Sequence, residues 1–112
     1  MGALPPEKFR VKGTFLAEAH SSPAGSFPVT GTLTVSEAGL RLRGRFITIP
    51  GTGIDIAFGE ILDSELVPTR LYVEWDKGGD GVVSGLWLEL LSPDDWERLV
   101  RSLEGRLGRG SA

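Results

Sequence analysis

The stretch Gly31-Thr32-Leu33-Thr34-Val35-Ser36-Glu37-Ala38-Gly39-Leu40-Arg41-Leu42-Arg43 alternates apolar and polar residues on both sides of a short polar break. Side chains alternate at period two along a strand, so the pattern predicts a hairpin. With Glu37-Ala38 as a tight connection, Leu33 faces Leu42, Val35 faces Leu40 and Thr34 faces Arg41. One face is then apolar and suits a core. The other collects Thr32, Thr34, Ser36, Arg41 and Arg43, whose hydroxyls and guanidiniums can donate hydrogen bonds to an anion. Arg41, Arg43 and Arg45 equally fit a solvated exterior. Ser36 and Gly39 equally fit a turn, Gly39 by tolerating positive φ and Ser36 by bonding backbone groups.

The same period extends to either side. Phe9 to Glu18 reads as a first strand, with Phe9, Val11, Phe15 and Ala17 on one side and Arg10, Lys12, Thr14 and Leu16 on the other; a loop follows at His20 to Pro28. After the turn Pro50-Gly51-Thr52-Gly53, Ile54, Ile56 and Phe58 alternate with Asp55 and Ala57, and a less regular segment runs from Ile61 to Val67. Leu71, Val73 and Trp75 alternate with Arg70, Tyr72 and Glu74 up to the turn at Lys77 to Gly81. In the last strand, about Val82 to Leu91, Leu86, Leu88 and Leu90 share one side and Trp87, Glu89 and Leu91 the other. Trp87 fits either packing under a helix or an exposed contact patch.

Ser92-Pro93-Asp94-Asp95 carries a helix start: Ser92 as cap, Pro93 at the first helical position, and two carboxylates at the positive end of the dipole. Trp96, Leu99, Val100, Leu103 and Leu107 then recur at helical spacing, which predicts a helix over 93–108 with one apolar stripe. Short antiparallel strands followed by one terminal helix predict a mainly β fold: a small six-stranded antiparallel barrel over 7–109, closed by that helix.

Composition narrows the function classes. At 112 residues the chain is one domain's worth, and a formal charge of −3 speaks against a nucleic-acid polymer as partner, so a basic function must be local. No apolar run approaches the roughly 18 residues needed to cross a bilayer and no signal segment precedes Pro5-Pro6, so the expected address is cytoplasmic without membrane insertion. The chain has no cysteine, which excludes disulfides and thiolate metal sites. Its single histidine, His20, stands in a Ser/Pro/Gly loop and is not expected to bind metal. Asp76 to Gly81 fails as a calcium loop, because Gly78 misses a ligand position and Trp87 stands where a bidentate Glu belongs. Gly51-Thr52-Gly53 completes neither a phosphate loop nor a dinucleotide fingerprint. No nucleophile elbow or paired catalytic base is present, so no enzyme activity and no cofactor are expected.

The order of elements together with Thr34-Val35-Ser36-Glu37-Ala38-Gly39, Val73-Glu74-Trp75 and Gly85-Leu86-Trp87-Leu88 resembles the PilZ family, the cyclic di-GMP receptor module of bacteria. That family's second signature is Asp or Asn, any residue, Ser, two of any kind, then Gly. Its first is Arg, three of any kind, then Arg. In this chain Thr34 replaces the acidic or amide position, Arg10 matches the second arginine and Pro6 stands in place of the first. The resemblance implies a non-catalytic signalling module with cyclic di-GMP as ligand, bound by Arg10, Thr34, Ser36, Gly39, Arg41 and Arg43, or one working through a protein partner. Guanidinium forks suit this ligand because they pair with phosphates and with the guanine Hoogsteen edge. A pleckstrin-homology-like or GRAM-like adaptor is the alternative, with its basic strand meeting acidic lipid or protein. Strand count separates the two: a six-stranded barrel with Arg10 beside Ser36 favours the first, seven strands in two near-orthogonal sheets with the helix plugging an open barrel corner the second.

Overall fold

The structure, a computed structural model, describes residues 6–16, 26–46, 53–76, 83–104 and 106–107. Seven strands form one antiparallel sheet: β1 (Glu7–Leu16), β2 (Ser26–Val35), β3 (Gly39–Phe46), β4 (Ile54–Ala57), β5 (Ile61–Val67), β6 (Arg70–Trp75) and β7 (Ser84–Leu90). Their order is β4-β3-β2-β1-β7-β6-β5, so two meanders join where β1 pairs with β7. The hairpin has the register that alternation dictates, with Leu33 opposite Leu42, Thr34 opposite Arg41 and Val35 opposite Leu40.

Laid flat, six strand spacings would hold β4 and β5 roughly 29 Å apart. Ile56 of β4 and Leu71 and Val73 of β6 nevertheless belong to one buried cluster with Phe9, Leu33 and Leu86, so the sheet curls around its apolar face. Two glycines on that face permit the bend. A Cβ on Gly13 would lie 1.7 Å from the Trp87 carbonyl oxygen, and one on Gly31 would lie 2.0 Å from that of Arg43. Only a residue without a side chain lets the backbones approach so closely.

The expected six-stranded closed barrel is therefore corrected to a curled half-barrel of seven strands, whose edges among the described residues are β4 and β5. The seventh strand comes from the irregular segment Ile61 to Val67, where a bulge between Ile61 and Asp63 hides the period. β2 also begins earlier than expected, since Phe27 and Pro28 pair with Phe15 and Thr14 of β1. Pro28 is tolerated because the pairing of β2 with β3 starts only at Val29, which leaves the Pro28 side of the strand as an edge. Phe58 opens a 3-10 turn (Phe58–Glu60) rather than extending β4. Ala17, His20, Gly51-Thr52 and the turn at 77–81 lie outside the described residues.

The terminal helix is shorter than its stripe. A 3-10 turn at Pro93–Asp95 leads into α1 (Trp96–Leu103), and Ser92 makes no side-chain cap. Glu104 turns extended, with φ −60° and ψ 128°, and Leu107 reaches the core through a turn in which the Arg106 amide bonds the Leu103 carbonyl. Leu99 and Leu103 are buried in the common cluster, with Trp96 partly buried beside them. Beyond the helix, Arg106 reaches the Ser36 carbonyl at 2.8 Å, while the Leu107 carbonyl accepts from the buried Ser64 hydroxyl at 3.4 Å. These residues thus tie the β2–β3 turn to β5.

Candidate anion-binding face

Register alone arranges the outer face into columns. Lys8 stands opposite Thr34, Arg10 opposite Thr32 and Lys12 opposite Thr30 across β1 and β2. Across β2 and β3, Thr34 meets Arg41, Thr32 meets Arg43 and Thr30 meets Arg45. A column of short threonines therefore runs between two columns of long cations, which stand roughly 9.6 Å apart, two strand spacings. Lys8, Arg10, Lys12, Arg41 and Arg43 are all exposed; the Arg45 side chain lies outside the described residues. Hydroxyl donors with cations on both flanks make a trough that suits phosphate or carboxylate oxygens.

One acid interrupts the trough. Asp55 of β4 stands opposite Arg41, and its Oδ1 lies 3.3 Å from Arg41 Nε and 2.9 Å from Arg43 Nη1, while Arg43 Nη2 donates to Oδ2 at 3.3 Å. The Arg43 hydrogen bond, helped by the charges of both arginines and opposed by desolvation, holds the Asp55 carboxyl below its ordinary range. Sequence reading placed Asp55 on the polar side of its strand without identifying its partners. The strand pairing that joins β4 to β3 supplies them.

The family-implied site residues fall into two places. Thr34, Ser36, Gly39 and Arg41 line one cavity of about 430 Å³ together with Pro6 and Asp55. Arg10 and Arg43 do not line it. Pro6 precedes Glu7, the residue opposite Val35, so the chain reaches the Ser36 end four residues from Arg10, roughly 13 Å along the strand. The Ser36 hydroxyl donates to the Gly39 carbonyl at 3.4 Å and its amide bonds the same oxygen at 3.0 Å, which fits the turn-building role. Gly39 is held by proximity: a Cβ there would lie 2.0 Å from the Ile56 carbonyl oxygen.

A second groove of about 430 Å³ adjoins the trough and is lined by Lys12, Thr14, Pro28, Thr30, Arg70 and Trp87 among others. Trp87 lies on the outer face, 38% exposed, with its ring 4.6 Å from that of Tyr72. Of the two positions that alternation allowed for Trp87, the structure takes the exposed one. Leu91, 44% exposed, follows on the same side, its amide bonding the Arg10 carbonyl at 2.9 Å. Among the described residues, no group of three or more His, Cys, Asp or Glu side chains is arranged to hold a metal, and no helix is long and apolar enough to cross a membrane.

Comparison of the chain with protein-family models, with curated proteins and with solved structures gave no match.

Proposed function

We propose that the chain is a non-catalytic binding module, an adaptor of the pleckstrin-homology-like or GRAM-like kind, that docks from the cytoplasm onto anionic lipid headgroups. The observation that carries this reading is the exposed trough in which Lys8, Arg10 and Lys12 face Arg41 and Arg43 across three threonines. The seven strands match the adaptor in number, in one sheet rather than two, and Trp87 and Leu91, apolar side chains exposed next to the cations, add support. Each Lys or Arg near an anionic surface contributes about 1 kcal/mol, and an indole suits the boundary between headgroup and chain. Vesicle co-sedimentation tests it. The protein should pellet with vesicles containing phosphatidylglycerol and not with phosphatidylcholine alone, less so as salt rises. Lys8→Glu/Lys12→Glu should abolish pelleting, and Asp55→Asn, by releasing Arg41 and Arg43, should increase it. Wild-type protein that ignores anionic vesicles refutes the reading.

A second reading, a PilZ-like cyclic di-GMP receptor, is favoured by one observation: Thr34, Ser36, Gly39 and Arg41 share a cavity. Pro6, at the sequence position of the family's first arginine, lines that cavity and offers no donor. Calorimetric titration with cyclic di-GMP, repeated on Arg41→Ala, tests this reading. Absence of heat at high micromolar ligand ends it.

A further inference from the structure

The outer face of the curled sheet keeps one large aromatic side chain in the open. Along β7, Leu86, Leu88 and Leu90 are buried while Trp87, between them, is exposed. Strand pairing sets Thr14 of β1 on one side of Trp87 and Tyr72 of β6 on the other. The Tyr72 ring lies 4.6 Å from the indole at a tilt of 30°, and the Tyr72 hydroxyl donates to Glu74. The indole is thus braced by a neighbour that is itself fixed, and part of its surface still meets water.

The next row of the same face carries charge. Lys12 stands opposite Thr30 on one side and Glu89 on the other, and Glu89 stands opposite Arg70, so a carboxylate sits between two cations on adjacent strands. Opposite charges across a strand pair offset one another, and the row therefore presents donors and acceptors more than a field of one sign. Among the described residues, these three side chains close no ion pair or hydrogen bond with one another. Row and indole line one groove of about 430 Å³, to which Thr14 and Thr30 add hydroxyls. That volume lies within the roughly 300–1,000 Å³ of small-molecule clefts.

A row that donates, accepts and donates again beside an aromatic plane selects a class of ligand. An ammonium and a guanidinium only donate, a carboxylate only accepts, and a hydroxyl does both. Neighbouring hydroxyls of a sugar ring can meet such a row in turn, whereas a phosphate meets Glu89 as a like charge and a hydrocarbon leaves the row unpaired. The electron-rich face of an indole also attracts the polarised C–H bonds on the apolar side of a pyranose. We propose that this groove binds a pyranose sugar, stacked on Trp87 with its hydroxyls on Lys12, Glu89 and Arg70. The inference goes beyond the headgroup reading and does not depend on it, because the groove shares Lys12 and Thr30 with the trough but is not lined by Lys8 or Arg10. A soluble saccharide and a glycolipid headgroup present the same ring.

Two-dimensional NMR on the full chain is the test, with the methyl glycosides of glucose, galactose, mannose and N-acetylglucosamine and their linear oligomers as probes. At least one should shift the Trp87 indole N–H and the Thr14 and Glu89 amides saturably, with an affinity that salt leaves unchanged. Trp87→Ala should lose the shifts, Trp87→Phe should keep part of the affinity, and Glu89→Gln, which swaps a charged acceptor for a neutral one, should weaken binding about tenfold. Lys8→Glu/Arg10→Glu should bind the sugar as the wild type does while failing to pellet with anionic vesicles, so the two readings fail separately. Vesicles of phosphatidylcholine with a neutral glycolipid distinguish the sources: pelleting that the soluble glycoside competes away points to a headgroup, and shifts without pelleting point to a free saccharide. A panel in which no sugar moves these signals overturns the proposal, as does a response to adenosine monophosphate alone. So does a Trp87→Ala or Glu89→Gln protein that keeps a dispersed, folded spectrum and binds as tightly as the wild type.

Discussion

The guanidinium carbon of Arg98 lies 4.2 Å from the centroid of the Phe9 ring, which places a helix cation over a core aromatic of the first strand. The same guanidinium meets Glu7 Oε1 at 2.6 Å, the Lys8 carbonyl at 3.1 Å and Asp95 Oδ1 at 3.2 Å. Glu7, foremost among these contacts, stabilises the charged form of Arg98. One side chain therefore docks α1 on β1. A cation over a ring contributes about 0.5–1 kcal/mol at an exposed site, and an exposed ion pair about 0.2–1 kcal/mol. Arg98→Ala should lower unfolding stability by about 1–2 kcal/mol in urea titration, and Arg98→Lys should recover only part, because an ammonium cannot stack and fork at once. No change in the urea midpoint would show the docking to be carried by Leu99 and Leu103 alone.

Two glycines make a controlled comparison. At Gly13 a methyl group would meet the Trp87 carbonyl oxygen at 1.7 Å, whereas at Gly59 nothing lies within 4 Å. Backbone cannot swing aside as a side-chain tip can, so Gly13→Ala must separate β1 from β7 and should cost more than about 2 kcal/mol. Gly59→Ala should be close to neutral. Thermal unfolding of both variants checks the contrast, and equal midpoints would contradict the close approach at the bend.

Alkaline pH should weaken the fold through Tyr72. Burial, then the hydrogen bond to Glu74 and the charges of Glu74 and Asp63, push the phenol well above its ordinary pKa of 10.0. The neutral phenol is thus favoured more strongly in the folded than in the unfolded chain. Its contribution is complete below about pH 10 and is lost as pH rises from there through the folded value, because the unfolded chain ionises first. Tyr72→Phe should flatten the decline of stability above pH 10. An unchanged slope in denaturation series across that range would remove Tyr72 as its cause.

Alternation alone made the faces of β1, β2, β3, β6 and β7 legible, since period two is a local property of an extended chain. Irregularity hid β5, where one bulged residue shifts the period, and the helix stripe overshot α1, because Leu107 satisfies the apolar pattern through a turn as well as through a helix. In the candidate site, the hydroxyl and cationic residues of the hairpin were readable; their neighbours were not. Nothing near Arg41 and Arg43 in the sequence announces Asp55, and nothing near Thr32 announces Arg10.

The sequence by itself determined which side of each regular strand meets the core and how β2 meets β3, because a short turn and the apolar alternation fix that register locally. Tertiary structure decided that β1 lies between β2 and β7. That placement sets Lys8, Arg10 and Lys12 beside the threonine column and holds Asp63 and Glu65 apart from them. The physical reason is that pairing between distant strands is chosen by the burial of one shared core, a property of the whole chain that no local stretch encodes.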